Sequence, residues 1–110
     1  MNDSDWVVQL RRGIMEFCVL LLLRKKACYG YEIVSNMEKF HYLSITEGTL
    51  YPLLRRLQKE KKLESYWLES ENGLPRKYYK LTSLGLDLLN EMSLTWVDLS
   101  NEINSLVFEE

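Results

Sequence analysis

Three stretches of helical periodicity, a change to alternation after Leu63 and a return to heptad spacing after Thr82 predict the fold class. It is mainly α with a small β-hairpin: a winged helix-turn-helix followed by a long C-terminal helix. The chain has 110 residues, 46% of them hydrophobic, enough for one unit with a modest core. The division expected is 1–81 for the winged helix, whose first helix also serves dimerisation, and 82–110 for a C-terminal dimerisation helix.

Gln9–Arg24 reads as the first helix. Leu10, Ile14, Phe17, Cys18, Leu21 and Leu22 recur every three or four residues, and Arg24-Lys25-Lys26 suit the negative end of the helix dipole. Beyond Phe17 the stretch is apolar nearly all round, the mark of a buried helix. Tyr29–Phe40 gives a second helix with Tyr31, Ile33, Val34 and Met37 turned inward. Gly30 near its start is a poor helix former and implies a backbone constraint there.

The third helix has competing starts. Thr46 is a good N-cap with Glu47 at the positive end of the dipole, while Ser44 with Glu47 would form a capping box. Pro52 removes a helix hydrogen bond past the first turn and argues for a start at Tyr51. Leu50, Leu53, Leu54 and Leu57 form the apolar stripe, leaving Arg55, Arg56, Lys59, Lys61 and Lys62 outside. Residues 64–69 and 76–81 alternate and are rich in aromatics, which predicts two strands joined through the Asn72-Gly73 turn. Thr82 then caps the last helix. Its seam runs Leu84, Leu88, Met92, Trp96, Leu99, Ile103, Leu106, heptad-like from Met92 onward.

The net charge of −2 speaks against a nucleic-acid partner until its distribution is considered. Residues 41–81 carry eight Lys/Arg against five Asp/Glu, whereas residues 82–110 carry six Asp/Glu and no Lys/Arg. The average conceals a basic middle. The longest apolar run, Phe17–Leu23, falls far short of the roughly 20 residues of a membrane-spanning helix. Asp3 and Asp5 before it and Arg24-Lys25-Lys26 after it do not fit a secretion signal. Cys18 and Cys28 are expected to be reduced, packed thiols of a cytoplasmic protein. His41 is the single histidine, and no motif places a catalytic partner beside it. Without a Gly-rich phosphate loop or a Cys/His cluster of ligand spacing, no enzymatic activity, cofactor or metal is expected.

Three helices and a hairpin describe a winged helix, in which the second helix of the helix-turn-helix enters the major groove of DNA. Here that helix begins near Thr46. Its first turn offers Thr46, Glu47, Thr49 and Tyr51; Gly48 permits close approach of a DNA backbone, and Arg55 and Arg56 follow one turn later. Arg76, Lys77 and Lys80 on the returning strand are placed to neutralise phosphates. The plainer alternatives are a capped amphipathic helix with a solvated basic face, and charges that merely protect an edge strand. On the last helix, Met92, Trp96, Leu99 and Ile103 form either a dimer seam alone or, more sharply, an apolar pocket for a flat aromatic effector.

Four stretches carry a family likeness: Leu10-Arg11-Arg12-Gly13; Tyr29-Gly30-Tyr31-Glu32-Ile33; Gly48 through Leu57 (GTLYPLLRRL); and Pro75 through Thr82 (PRKYYKLT). In this order, from Leu10 to about Leu89, the chain resembles the short form of the PadR family of bacterial transcription regulators. The resemblance implies a homodimer held by the first and last helices, with a winged helix on each subunit. It implies a recognition helix that starts near Thr46 with Pro52 inside it, and DNA contacts at Tyr29, Gly30, Thr49, Tyr51, Arg76 and Lys77. It also implies repression, often of the regulator's own gene and of detoxification or transport genes. Trp96 resembles the paired interface tryptophan of the multidrug-sensing short members. Glu47 departs from the pattern, since many relatives have proline there; a carboxylate repels phosphates but accepts a hydrogen bond from cytosine. The rival reading from another class is a winged helix whose basic face docks an acidic protein instead of double-stranded DNA.

Overall fold

The computed structural model describes residues 4–109. In chain order these form α1 (Asp5–Lys25), β1 (Cys28–Tyr29), α2 (Gly30–Met37), α3 (Glu47–Lys59), β2 (Leu63–Glu69), β3 (Pro75–Leu81) and α4 (Ser83–Val107). The predicted class holds: helices dominate, and the hairpin belongs to a small antiparallel sheet of order β1-β3-β2.

The first helix starts four residues before Gln9. Ser4 caps it, its hydroxyl accepting from the Val7 N–H at 3.3 Å. Trp6, Val8 and Leu10 on these early turns are exposed, so no buried periodicity announces them, and Leu10 is not in the core as expected. Met15, Val19, Leu20 and Leu23 are the buried side of α1. Next comes β1, which alternation could not reveal because it is only two residues long. It pairs Cys28 with Tyr79 and Tyr29 with Tyr78. The second helix ends at Met37 rather than Phe40. It buries Gly30, Ile33, Val34 and Met37, whereas Tyr31, expected inside, is 63% exposed.

Thr46 caps α3: its hydroxyl accepts from the Thr49 N–H at 3.3 Å. Leu50, Leu54 and Leu57 are fully buried and seat the helix on the core. Pro52 lies inside it and has no N–H to offer the Gly48 carbonyl. Both residues are exposed, so water reaches that carbonyl and the penalty stays small. The helix ends in a Schellman arrangement. Lys61 has φ 65°, its N–H donates to the Gln58 carbonyl, and the Lys62 N–H donates to the Leu57 carbonyl.

The same corner starts α4. The Thr82 N–H donates to the Lys62 carbonyl at 3.1 Å and the Thr82 hydroxyl to the Lys61 carbonyl at 2.6 Å. Thr82 caps the helix as predicted, accepting from the Gly85 N–H. A Cβ on Gly85 would stand 2.1 Å from the Lys62 carbonyl oxygen, so the bare glycine lets the two segments touch. Between the two corners, β2 and β3 each begin one residue earlier than predicted and run in register from Leu63↔Leu81 to Glu69↔Pro75.

Gly85→Ala forces backbone apart and should cost about 1–3 kcal/mol, the usual range for overpacking. Thermal denaturation checks it; an unchanged melting temperature would contradict the close contact.

Candidate nucleic-acid interface

The exposed side of α3 and the hairpin frame an open cleft of about 470 Å³, lined by Tyr29, Gly30, Tyr31, Tyr51, Trp67, Arg76, Lys77 and Tyr79. Five residues singled out from the sequence, Tyr29, Gly30, Tyr51, Arg76 and Lys77, thus meet in one place from four elements. Gly30 is there for space, not for an unusual φ. A Cβ at this position would lie 2.2 Å from the Tyr51 hydroxyl oxygen and 2.6 Å from its Cζ. Burial, and then the negative charge of Glu47 one turn earlier, push the Tyr51 phenol above its ordinary pKa. The phenol therefore stays protonated and able to donate a hydrogen bond.

Strand alternation sends Arg76 and Lys77 to opposite faces of the sheet. The Arg76 guanidinium donates to the Tyr29 hydroxyl at 2.8 Å and lies 4.5 Å from the centroid of that ring. Tyr29 packs edge-on against Tyr78, which stacks on Tyr66 at 5.8 Å, so an aromatic ladder backs the arginine. Lys77 faces the other way, with its ammonium 5.7 Å from the centroid of the buried Tyr79 ring. Lys80 joins the ladder side instead, paired with Glu64 at 3.3 Å and set over Tyr66.

Thr46 and Thr49 lie outside this cleft. They line a second hollow of about 390 Å³ with Arg11 and Arg12 of α1, and Arg11 donates to the Ser44 carbonyl. The first turn of α3, with Thr46, Glu47, Gly48 and Thr49 all exposed, thus borders the second hollow, while the cleft meets the helix at Tyr51. Arg55 is exposed as expected. Arg56 is not available: its guanidinium bonds Glu16 of α1 at 2.8 Å and Glu60 at 3.2 Å, and Lys62 bonds the same two carboxylates. Sequence reasoning missed Tyr31, Trp67 and Tyr79 in the cleft and Arg12 in the hollow. The pairing of Trp67 with Lys77 in the hairpin register was the available clue for Trp67.

On the opposite side, α1 and α4 enclose an open groove of about 500 Å³. Ile14, Phe17, Met92, Trp96 and Leu99 line it, with Glu16, Lys62 and Glu91 among its polar walls. The Phe17 and Trp96 rings lie 6.2 Å apart, tilted by 47°. Ile103, one turn further on, is outside the groove and 48% exposed. The far half of α4 keeps Leu94, Val97, Leu99, Ile103, Leu106 and Val107 in solvent. Cys18 and Cys28 are free thiols, pushed above the ordinary thiol pKa by burial. His41 is exposed and meets the Tyr42 ring edge-on. Among the described residues no cluster of His, Cys, Asp or Glu could hold a metal ion, and no helix is long and apolar enough to cross a membrane.

A helix-turn-helix with a β wing on one side and a long outlying helix on the other defines a winged-helix regulator. The model of the PadR-like transcriptional regulator family matches residues 19–91. A PadR-like transcriptional regulator from Bacillus cereus is 37% identical, with a TM-score of 0.86 over 93% of this chain and 99% of its own. A PadR family regulator from Eggerthella lenta is also 37% identical, with a TM-score of 0.82 over 97% of this chain and 93% of its own. An uncharacterized protein of Lysinibacillus sphaericus is 36% identical over 96 residues, 84% of this chain and 87% of that one. The chain belongs to the PadR-like family of transcriptional regulators.

Glu47→Gln removes the charge that opposes Tyr51 ionisation. The Tyr51 pKa should fall yet stay above the ordinary tyrosine value, because burial is the larger cause. Titration of the tyrosine Cζ resonances reads this directly; no change would place Glu47 too far away to act.

Proposed function

We propose that this regulator is a homodimer that binds double-stranded DNA sequence-specifically and represses transcription, with α3 as the recognition helix of each subunit. The observation that carries the reading is the convergence of Tyr29, Gly30, Tyr51, Arg76 and Lys77 on one cleft beside the exposed first turn of α3. Thr46, Gly48 and Thr49 lie against the duplex, and the amide groups at the N-terminus of α3 together with the Tyr51 hydroxyl hold phosphate. Arg55 and Lys77 add positive charge, and Arg76 is held ready by Tyr29. Glu47, at the tip of the helix, faces base edges and favours cytosine through its amino group. A protein-docking role fits less well, since the family is one of transcriptional regulators and a phenol hydroxyl beside two cations suits phosphate oxygens.

Dimerisation is supported by α4. Its outer half carries an apolar seam that nothing in the described chain covers, and two-fold pairing is the commonest way to bury such a seam. A second reading concerns the groove between α1 and α4. Phe17, Met92, Trp96 and Leu99 offer flat apolar walls, which suits a small aromatic effector that releases the regulator from DNA.

Gel-shift titration with the upstream region of its own gene tests the DNA reading. With about six phosphates neutralised per dimer, affinity should fall roughly a thousandfold between about 50 and 200 mM salt. No retardation at low salt by an intact dimer would refute it. For the effector, a planar aromatic probe such as an acridine dye should quench tryptophan emission in the wild type. The component of quenching that is lost in Trp96→Phe belongs to the groove, and its persistence in that variant would remove the second reading.

A further inference from the structure

The side of the sheet that packs on α3 changes character along its length. At one end Leu63 is buried, and Ser65 accepts from the Gln58 side-chain amide of α3 at 3.0 Å. Tyr79, opposite Ser65, is buried as well. Two residues further along the strand, on the same face, comes Trp67, which is 64% exposed. The register sets it directly opposite Lys77, so the two residues are cross-strand neighbours on the cleft wall, with the Lys77 ammonium over the Tyr79 ring.

Trp67 stands apart from the other aromatic residues of the sheet. Tyr66 stacks on Tyr78, against which Tyr29 packs edge-on, and Tyr79 is buried. Among the described residues the Trp67 side chain has no ring, hydrogen-bond or cation partner. A tryptophan placed only for packing would be covered. This one is presented to the cleft that holds Tyr51 and Lys77, with the exposed flank of α3 next to it.

We propose that Trp67 is a duplex-contacting residue of the wing, whose indole packs on the deoxyribose edge of the strand whose phosphate Lys77 neutralises. The inference rests on the DNA-binding reading given above and deepens it. Lysine beside an exposed indole forms a bipartite grip on one backbone unit, the cation on the phosphate and the apolar ring on the sugar. The two halves are separable, because apolar packing releases no counterions and phosphate neutralisation does.

The experiment uses a fluorescently labelled duplex from the upstream region of the regulator's own gene and an unrelated duplex of equal length, titrated at several salt concentrations. Trp67→Ala should weaken binding about tenfold on both duplexes and leave the salt slope unchanged. Trp67→Phe should recover most of the loss, and Lys77→Ala should lower the slope by about 0.9 per subunit. Tryptophan emission should change when wild type meets duplex, and that change should be missing in Trp67→Phe. Because the side chain is exposed, both variants should melt like wild type. Wild-type binding with unaltered affinity in Trp67→Ala overturns the proposal while leaving the DNA reading intact. A changed sedimentation coefficient in Trp67→Ala also overturns it, since Trp67 would then join copies of the chain. Failure of wild type to bind any duplex overturns both.

Discussion

The middle of α3 meets the rest of the domain at a contact in which one partner has no side chain. The Tyr51 ring sits on Gly30, close enough that a single methyl group there would overlap its hydroxyl. This seat ties the middle of α3 to the junction of β1 and α2. Through the pairing of Tyr29 with Tyr78, it ties α3 to the wing as well. The leucine stripe of Leu50, Leu54 and Leu57 supplies adhesion, each buried leucine contributing about 1.5–3 kcal/mol, but it does not choose the angle. The Tyr51–Gly30 contact adds a fixed point between α3 and the β1–α2 junction, and both residues line the cleft.

Around that seat the basic residues divide into two groups. Arg56 and Lys62 are consumed by Glu16 and Glu60, where they clamp the C-terminal half of α3 to α1. Lys80 is paired across the hairpin with Glu64. Arg55 and Lys77 make no ion pair among the described residues, and Arg76 is held by a neutral phenol rather than by a carboxylate. Lys26 is likewise paired with Glu32, whose carboxylate accepts from the Tyr29 N–H, so of the cations lining the cleft neither Arg76 nor Lys77 has a carboxylate partner among the described residues. Glu16 has a second place in the molecule, since it also borders the groove beneath Trp96. One carboxylate therefore touches both the wall of that groove and the helix that carries Arg56.

Much of this was legible in the sequence. Thr82, the hairpin, the apolar stripe of α3 and the long terminal seam all announce themselves through period and capping chemistry. What escaped detection did so for physical reasons. With only Cys28 and Tyr29, β1 cannot show alternation, and it exists because β3 is there to pair with it. The first turn of α1 has Trp6 and Val8 in solvent, so burial leaves no trace in its pattern. Pro52 contradicted the helix it lies in, and only the exposure of Gly48 explains why it is tolerated. The candidate site was visible as a set of residue types but not as a grouping. Nothing local in the sequence indicates that Arg56 turns back to Glu16 forty residues earlier, or that Thr46 and Thr49 share a hollow with Arg11 and Arg12 while Tyr51 belongs to the wing side.

Under the proposed reading these features make a reading head on rigid elements: a capped helix end, a phenol seated on a bare backbone, and a wing that sends Arg76 and Lys77 to opposite faces. Pairing through the far half of α4 would present two such heads on one side of a duplex. Hydroxyl-radical footprinting of the dimer on its operator measures that arrangement directly. The account predicts two protected patches on one face of the DNA, centred about 10–10.5 base pairs apart. A single patch, or protection with no helical phase, would contradict it.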